Sequence, residues 1–324
     1  MKTAILISGH MRSFERCLPT LHWHVFRHFT PKVVEGSSST YNADPARGCV
    51  GWYAPGGGYI GREKPPFEST CDFFVSTEPD ADAPKAELLR AKYPGSRVEI
   101  DLTPQPAASF LYQRAAVVEG RPFGIPSAAD LNAAAAHAPY AISVPVEAVL
   151  GQLWRLQQCW SFVPMDTFKG YDLIIRCRPD LWMESFALPK FPNKRPVPVA
   201  MPDGPTLVIG RGMPDTIAST PWWGRFGGVN DRFAILGLGA AFRYFCTFEN
   251  IPALLQAGCP LHPESLIKAS LEAGGCTIDD TLDVSFSTLR PAAADHPAGF
   301  VRIADGCGRR FPEIMAADIA HFRR

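Results

Sequence analysis

Apolar residues along this chain follow two rhythms. Short unbroken runs bounded by glycine or charge read as buried strands, and apolar residues recurring every three or four positions read as one face of a helix. The run from Thr3 to Ser8 stops at Gly9, after which Phe14, Leu18, Leu21, Val25 and Phe29 recur at helical spacing, so the pattern predicts strand, glycine turn, helix. Pro19 either starts the regular part of that helix or kinks it. From 31 to 70 the chain turns polar and rich in glycine and proline (GSSST, then YAPGGGYIG), which no element period explains, and it reads as an inserted excursion. Periodicity resumes with a buried strand at Cys71 to Thr77, a helix from Pro84 to Tyr93 and a third strand at Arg97 to Asp101. Strands separated by helices predict a parallel sheet with right-handed crossovers.

Residues 104 to 145 are rich in alanine and proline and form a second excursion with no assignable element. Val146, Val149, Leu150, Leu153, Trp154, Trp160 and Val163 then mark an amphipathic helix, and Tyr171 to Arg178 is the clearest strand in the chain, running straight into Pro179-Asp180. Short strands are predicted at Val197 to Met201, Thr206 to Ile209 and Phe233 to Leu236, and helices at Gly239 to Phe248 and Pro263 to Ala273. Beyond Gly275 the signal fades to a loop-rich tail, 276–324, packed on the single elaborated α/β domain of 1–275. No internal repeat and no linker divides the chain.

Composition narrows the partners. The chain has 324 residues, enough for one large or two modest domains, with 32 basic and 32 acidic side chains, so it lacks the basic surplus that nucleic acid demands. No apolar run reaches the roughly 18 to 20 residues that span a bilayer, so no transmembrane segment is expected. Lys2 precedes an apolar run, but Gly9, His10 and Arg12 end it below the roughly 7 to 15 residues of a signal peptide core. The nine cysteines include no CxxC pair, which suggests neither a zinc site nor a disulfide framework and fits a reducing cytoplasm.

Four segments carry candidate chemistry. In SGHMR, 8 to 12, a strand end, Gly9 and Arg12 precede a helix, a placement that suits a diphosphate as well as it suits a solvated helix-start arginine. In RCRPDLWM, Arg176, Arg178 and Asp180 crowd the end of an apolar strand; they read either as an arginine–carboxylate pair capping that strand or as a carboxylate holding a divalent cation against phosphates. TPWWGRFGGVND offers Trp223 to stack on a ring and Asn230 and Asp231 to bind hydroxyls, or merely a glycine-rich turn with core tryptophans. Glu264 follows His262-Pro263 in the first turn of a helix, where it is either a dipole partner or a general base. His22, His24 and His28 lack the carboxylate or cysteine that would complete a metal site.

Taken in order, ILISGHMRSFERC, CDFFVST, GQLWRLQQCW leading into YDLIIRCRPDL, GGVNDRFAILG and HPESLI resemble the landmarks of bacterial and viral surface-carbohydrate glycosyltransferases with a GT-A-type fold. The resemblance implies a Rossmann-type, mostly parallel sheet flanked by helices, with a nucleotide-binding half over about 1–183 and an acceptor half over about 184–275. It implies that Gly9 and Arg12 lie by the nucleotide, that Asp180 takes the last position of the metal-binding DxD motif, and that Asn230, Asp231 and Glu264 line the sugar and acceptor side. Arg178 stands where that motif has its first carboxylate, so either Asp180 with Mn²⁺ or Mg²⁺, aided by His296 from the tail, or Arg176 and Arg178 alone would neutralise the leaving diphosphate. The expected activity is inverting transfer from a nucleotide diphosphate sugar to a glycan acceptor. Its alternatives are a nucleotide-sugar or glycan-binding relative without turnover and a sugar nucleotidyltransferase.

Overall fold

A computed structural model describes residues 2–29, 70–115, 117–118, 121–122, 145–164, 170–186, 197–199, 207–209, 214–225, 227–291 and 300–303. The excursion of 31–70 therefore falls, but for Thr70, outside the described residues, and so does His296. Of the second excursion, the described part holds a helix, Ala108–Ala115, and a short antiparallel pairing of Val117–Val118 with Arg121–Pro122.

The main strands are β1 (Lys2–Ser8), β2 (Thr70–Ser76), β3 (Val98–Asp101), β4 (Leu173–Cys177), β5 (Leu181–Phe186), β6 (Ile217–Ser219), β7 (Phe233–Leu236), β8 (Thr277–Asp279), β9 (Val284–Pro291) and β10 (Phe300–Ile303). A further short pair joins Val197–Val199 to Leu207–Ile209. The helices are α1 (Phe14–His24), α2 (Leu88–Lys92), α3 (Ala108–Ala115), α4 (Val146–Ser161), α5 (Leu238–Phe245), α6 (Thr247–Gln256) and α7 (Pro263–Ala273).

Seven strands form one mixed sheet in the order β8-β6-β7-β4-β1-β2-β3. β1 pairs in parallel with β2 and β4, β2 with β3, and β6 with β8, while β7 runs against both its neighbours. The chain builds β1, β2 and β3 outward in one direction, then returns to lay β4 on the other side of β1. Such a reversal leaves a crevice beyond the carboxyl ends of the two central strands, where open α/β sheets bind ligands. Here that crevice lies past Ser8 and Cys177.

Strand side chains alternate between the two sheet faces. Ala4, Leu6, Ile174, Ala234 and Leu236 share a buried cluster with α4, α5, α6 and α7. Ile5, Ile7, Leu173, Ile175, Phe233 and Ile235 pack on the other side with α1 and with β5 and β9 of a second sheet, ordered β10-β9-β5. Because β1 and β4 are covered on both faces, they read as continuous apolar runs.

Several elements differ from the pattern-based expectation. The helix expected from Pro84 to Tyr93 is a 3₁₀ turn, Ala83–Glu87, followed by the short α2. Pro19 lies inside α1, and the chain continues past it into a 3₁₀ turn, Phe26–His28. The helix expected from Gly239 to Phe248 ends at Phe245, and a separate α6 follows. Residues 277–291 and 300–303, expected to be loop, form β8, β9 and β10. β8 is too short to show a period, and in β9 serine and threonine interleave with Val284, Phe286 and Leu289, which weakens the apolar signal.

Among the described residues no helix is long and apolar enough to cross a membrane. Cys17, Cys71, Cys159, Cys177 and Cys246 are buried thiols packed as small core side chains. His22 and His24 at the end of α1 and His28 in the 3₁₀ turn after it are each lowered to about 4, by burial first and then by nearby cations, Lys92 and Arg27 for His22 and Arg27 for the other two. The unfolded chain therefore takes up these protons first, and the stability they contribute is present above about 6.5 and lost as pH falls toward about 4. Urea midpoints should accordingly drop across that window, and an unchanged midpoint in His22→Phe relative to wild type at acid pH would contradict it.

Candidate active site

The carboxyl edge of the sheet gathers the candidate residues. Gly9 follows β1 with φ +131°, a conformation that favours glycine, and a Cβ there would sit 3.3 Å from Pro179 Cδ, so the turns after β1 and β4 pack directly on each other. Arg12 is solvent-exposed at the start of α1, and its carbonyl accepts a hydrogen bond from Lys85 at 2.9 Å. Ser13 Oγ donates to Leu289 O at 2.8 Å, and Leu289 N–H donates to Asp180 O at 2.8 Å, which ties the second sheet to this edge.

Asp180 is only 5% exposed and is engaged by two guanidinium groups. Arg178 Nε and Nη2 donate to its two oxygens at 3.0 and 2.8 Å, and Arg290 Nη1 from β9 stands 3.1 Å from Oδ2. Burial would raise its carboxyl, but Arg178 and then Arg290 override that and hold it below the usual carboxylate range. A divalent cation would need further oxygen or imidazole ligands, yet among the described residues no group of three metal-ligating side chains exists. Both oxygens of Asp180 already face cations, which would repel a dication. Among the described residues, which do not include His296, the surroundings of Asp180 do not fit a metal ion, and the arginine-partner reading of RCRPDLWM describes them better.

Arg176 is fully buried on β4. Nη1 donates to Cys177 O at 2.6 Å, both terminal nitrogens reach Ser8 O at 3.4 Å, and Nε is buried without a hydrogen bond. Burial lowers its affinity for the proton, offset first by neighbouring Tyr244. On α4, Arg155 is likewise buried and clamps the ends of β2 and β3, reaching Glu78 Oε1 at 2.8 Å and Thr103 O at 2.6 Å, with Asp101 at 3.9 Å.

Two carboxylates meet deeper in the edge. Asp231, 3% exposed, accepts a hydrogen bond from Gln152 Nε2 of α4 at Oδ2, while Oδ1 lies 3.7 Å from Arg232 Nε. Glu264, 4% exposed in the first turn of α7, has Oε2 at 2.9 Å from His262 Nδ1, at ion-pair distance but not aligned as a hydrogen bond. Their environments push them apart. For Asp231 the penalty of burial is outweighed by Arg232, Arg178, Gln152 and Arg176, which hold it low. Glu264 is raised by burial and then by the charge of Asp231, with His262 offsetting part of the rise. A pair of carboxyls with opposite shifts is how one site supplies both an ionised clamp and a proton acceptor.

The loop that carries Asp231 is pinned to α7 by close packing. Val229 N–H donates to Glu264 O at 3.1 Å, and a Cβ on Gly228 would fall 2.0 Å from that same carbonyl. Asn230 and Trp223, expected to contact ligand, are instead structural. Asn230 Oδ1 accepts from the N–H groups of Arg232 and Phe233 at 2.9 and 3.2 Å, and its Nδ2 donates to Trp223 O at 3.1 Å. Trp223 Nε1 donates to Val284 O at 2.9 Å and its ring packs 4.4 Å from that of Phe286, inside the core. The turn-and-core reading of that segment holds for these two residues because every polar group they expose is used locally.

Sequence reasoning did not single out Gln152, Arg155 or Arg290. Arg155 and Gln152 lie one turn apart on α4, off the apolar stripe that the pattern predicts, so nothing in the pattern signals that packing draws them in; Arg290 comes from a segment whose strand was not legible. No protein-family model, curated protein or solved structure matches this chain.

Proposed function

We propose that the protein is a glycosyltransferase of GT-A type that moves a sugar from a nucleoside diphosphate sugar to a carbohydrate hydroxyl with inversion at the anomeric carbon. The observation that carries this reading is the convergence of SGHMR, RCRPD, GGVND and HPES, spread over more than 250 residues, on the carboxyl edge of one sheet at its strand-order reversal.

In this reading Arg12 and the Arg178–Arg290 pair balance the charge of the diphosphate, a role that oriented cations fill without a metal. Asp231, kept ionised by its arginines, orients sugar hydroxyls. Glu264 accepts the proton of the acceptor hydroxyl as its oxygen attacks the anomeric carbon. The bond from that carbon to the phosphate oxygen breaks, and the electron pair leaves with the nucleoside diphosphate. At 4% exposure Glu264 meets an acceptor only when its neighbours move aside. The same burial supports a second reading, a nucleotide-sugar or glycan-binding protein without turnover. A cytoplasmic setting belongs to either reading.

Thermal shift with a panel of nucleotide sugars tests donor binding, since a ligand that binds the native state raises the melting temperature. At least one donor should raise it equally with Mn²⁺ and with excess EDTA. A flat panel removes the transferase and the nucleotide-sugar-binding readings and leaves only a glycan-binding protein, and a shift that vanishes in EDTA restores the metal. Arg12→Ala should weaken nucleoside diphosphate and nucleotide sugar alike, by about tenfold for a lost charge-assisted contact. Unchanged affinity for both would take Arg12 out of the site.

A further inference from the structure

Beside the buried carboxylates, a polar cavity of about 550 Å³ opens between the 222–229 loop, α7 and the end of β8. Its described lining has one large aromatic face, Trp222, which is 48% exposed although its neighbour Trp223 is buried in the core. The charges around it cancel in pairs. Arg225 is ion-paired with Asp280, and Lys268 Nζ lies 3.8 Å from Glu272 Oε1, both pairs being partly exposed. Gly227 and Gly228 bring bare backbone to the wall.

A cavity with no net charge gives no foothold to a phosphate or an acidic peptide. What it offers is an exposed aromatic face with donors on Arg225 and Lys268 and acceptors on Glu272 and Asp280 in the same lining. A neutral sugar ring has the complementary form, with one face of C–H groups and a rim of hydroxyls that each donate and accept. The cavity also adjoins the helix start that carries the candidate base, because Gly228 and Val229 in its wall are the residues that pack on the Glu264 backbone carbonyl.

We infer that this cavity is a carbohydrate subsite in which a neutral hexose ring stacks on Trp222 and hydrogen-bonds to Arg225, Asp280 and Lys268. Naming its occupant as the glycan acceptor rests on the transferase reading above; binding of free sugar does not. The subsite is therefore tested without any nucleotide. Saturation-transfer NMR on the full chain with cellobiose, maltose, lactose and chitobiose should give transfer to at least one of them. Trp222→Ala should weaken that binding by about tenfold, whereas Trp222→Phe retains most of it. Arg225→Ala, at a partly exposed side chain, should cause a similar loss without touching the tryptophan, so an early-melting Trp222→Ala does not spare the proposal. No transfer to any of the four sugars overturns it, as does binding that both Ala variants leave unchanged. Sugar binding through Trp222 in a protein that never releases nucleoside diphosphate would keep the subsite and remove the transferase. Turnover of a nucleotide sugar onto a glycan, indifferent to both Ala variants, would do the reverse.

Discussion

Glu264→Gln should bind donor as the wild type does and lose transfer by about 10² to 10⁴-fold, the usual contribution of a positioned general base. Glutamine keeps the size and one acceptor oxygen of the side chain while removing the basic site. Loss of fold does not account for such a result. Because burial raises the Glu264 carboxyl in the folded state, its protonated form is the one the fold favours. The stability it contributes is present below its unfolded value and lost as pH rises through the folded one, so above that value the neutral glutamine relieves a cost. In the wild type kcat/KM should rise with pH through the titration of Glu264, at a pH above that of an ordinary glutamate. Asp231→Asn tests the partition. Asp231 is held low by its arginines, so its replacement should weaken donor or acceptor binding while the rising limb persists, moved to lower pH because the charge that helps raise Glu264 is gone. Near-normal transfer by Glu264→Gln with an inert Asp231→Asn would exchange the two roles.

Gly228→Ala should damage both the fold and the reaction. The added methyl would stand 2.0 Å from the carbonyl carbon and oxygen of Glu264 and 2.4 Å from Ser265 N. All three are backbone atoms of a helix start, so no side chain can swing aside, and the loop must leave α7. Overpacking of this kind costs about 1 to 3 kcal/mol. The same displacement separates Asp231 from Glu264 and shifts one wall of the sugar cavity, so activity should fall further than stability alone implies. Gly95→Ala is the control, since nothing lies within 4 Å of its Cβ position. Equal melting temperatures for the two variants would show that the loop and helix are not in the tight contact described.

The parts of the fold that were legible in the sequence are those whose burial is two-sided. β1, β2 and β4 are unbroken apolar runs because helices or a second sheet cover both faces, and α4 and α7 keep a clean amphipathic period. β6 and β8, of three residues each, are too short to carry a period, and β9 hides its apolar side chains among serine and threonine. That failure reached the site. Without β9 there was no Arg290, and Asp180 looked like a carboxylate in want of a metal when it is one already held by two arginines. Trp223 was drawn to the site by residue type, and Asn230 by residue type and by the resemblance. Only packing distinguishes the buried Trp223 from Trp222, one position earlier on the opposite side of the turn's exposure. Asp231 and Glu264, by contrast, were legible as a candidate pair, and their mutual influence became visible only once the Gly228 contact brought loop and helix together.

The most direct measurement of the central claim is nucleoside diphosphate release from a panel of nucleotide sugars, in excess EDTA, with the four disaccharides as acceptors and the product followed by NMR. The account predicts release of nucleoside diphosphate in step with a trisaccharide of inverted anomeric configuration, retained in EDTA and lost in Glu264→Gln. Release of pyrophosphate, retention of configuration, or tight donor binding with no release from any pair of substrates would contradict it.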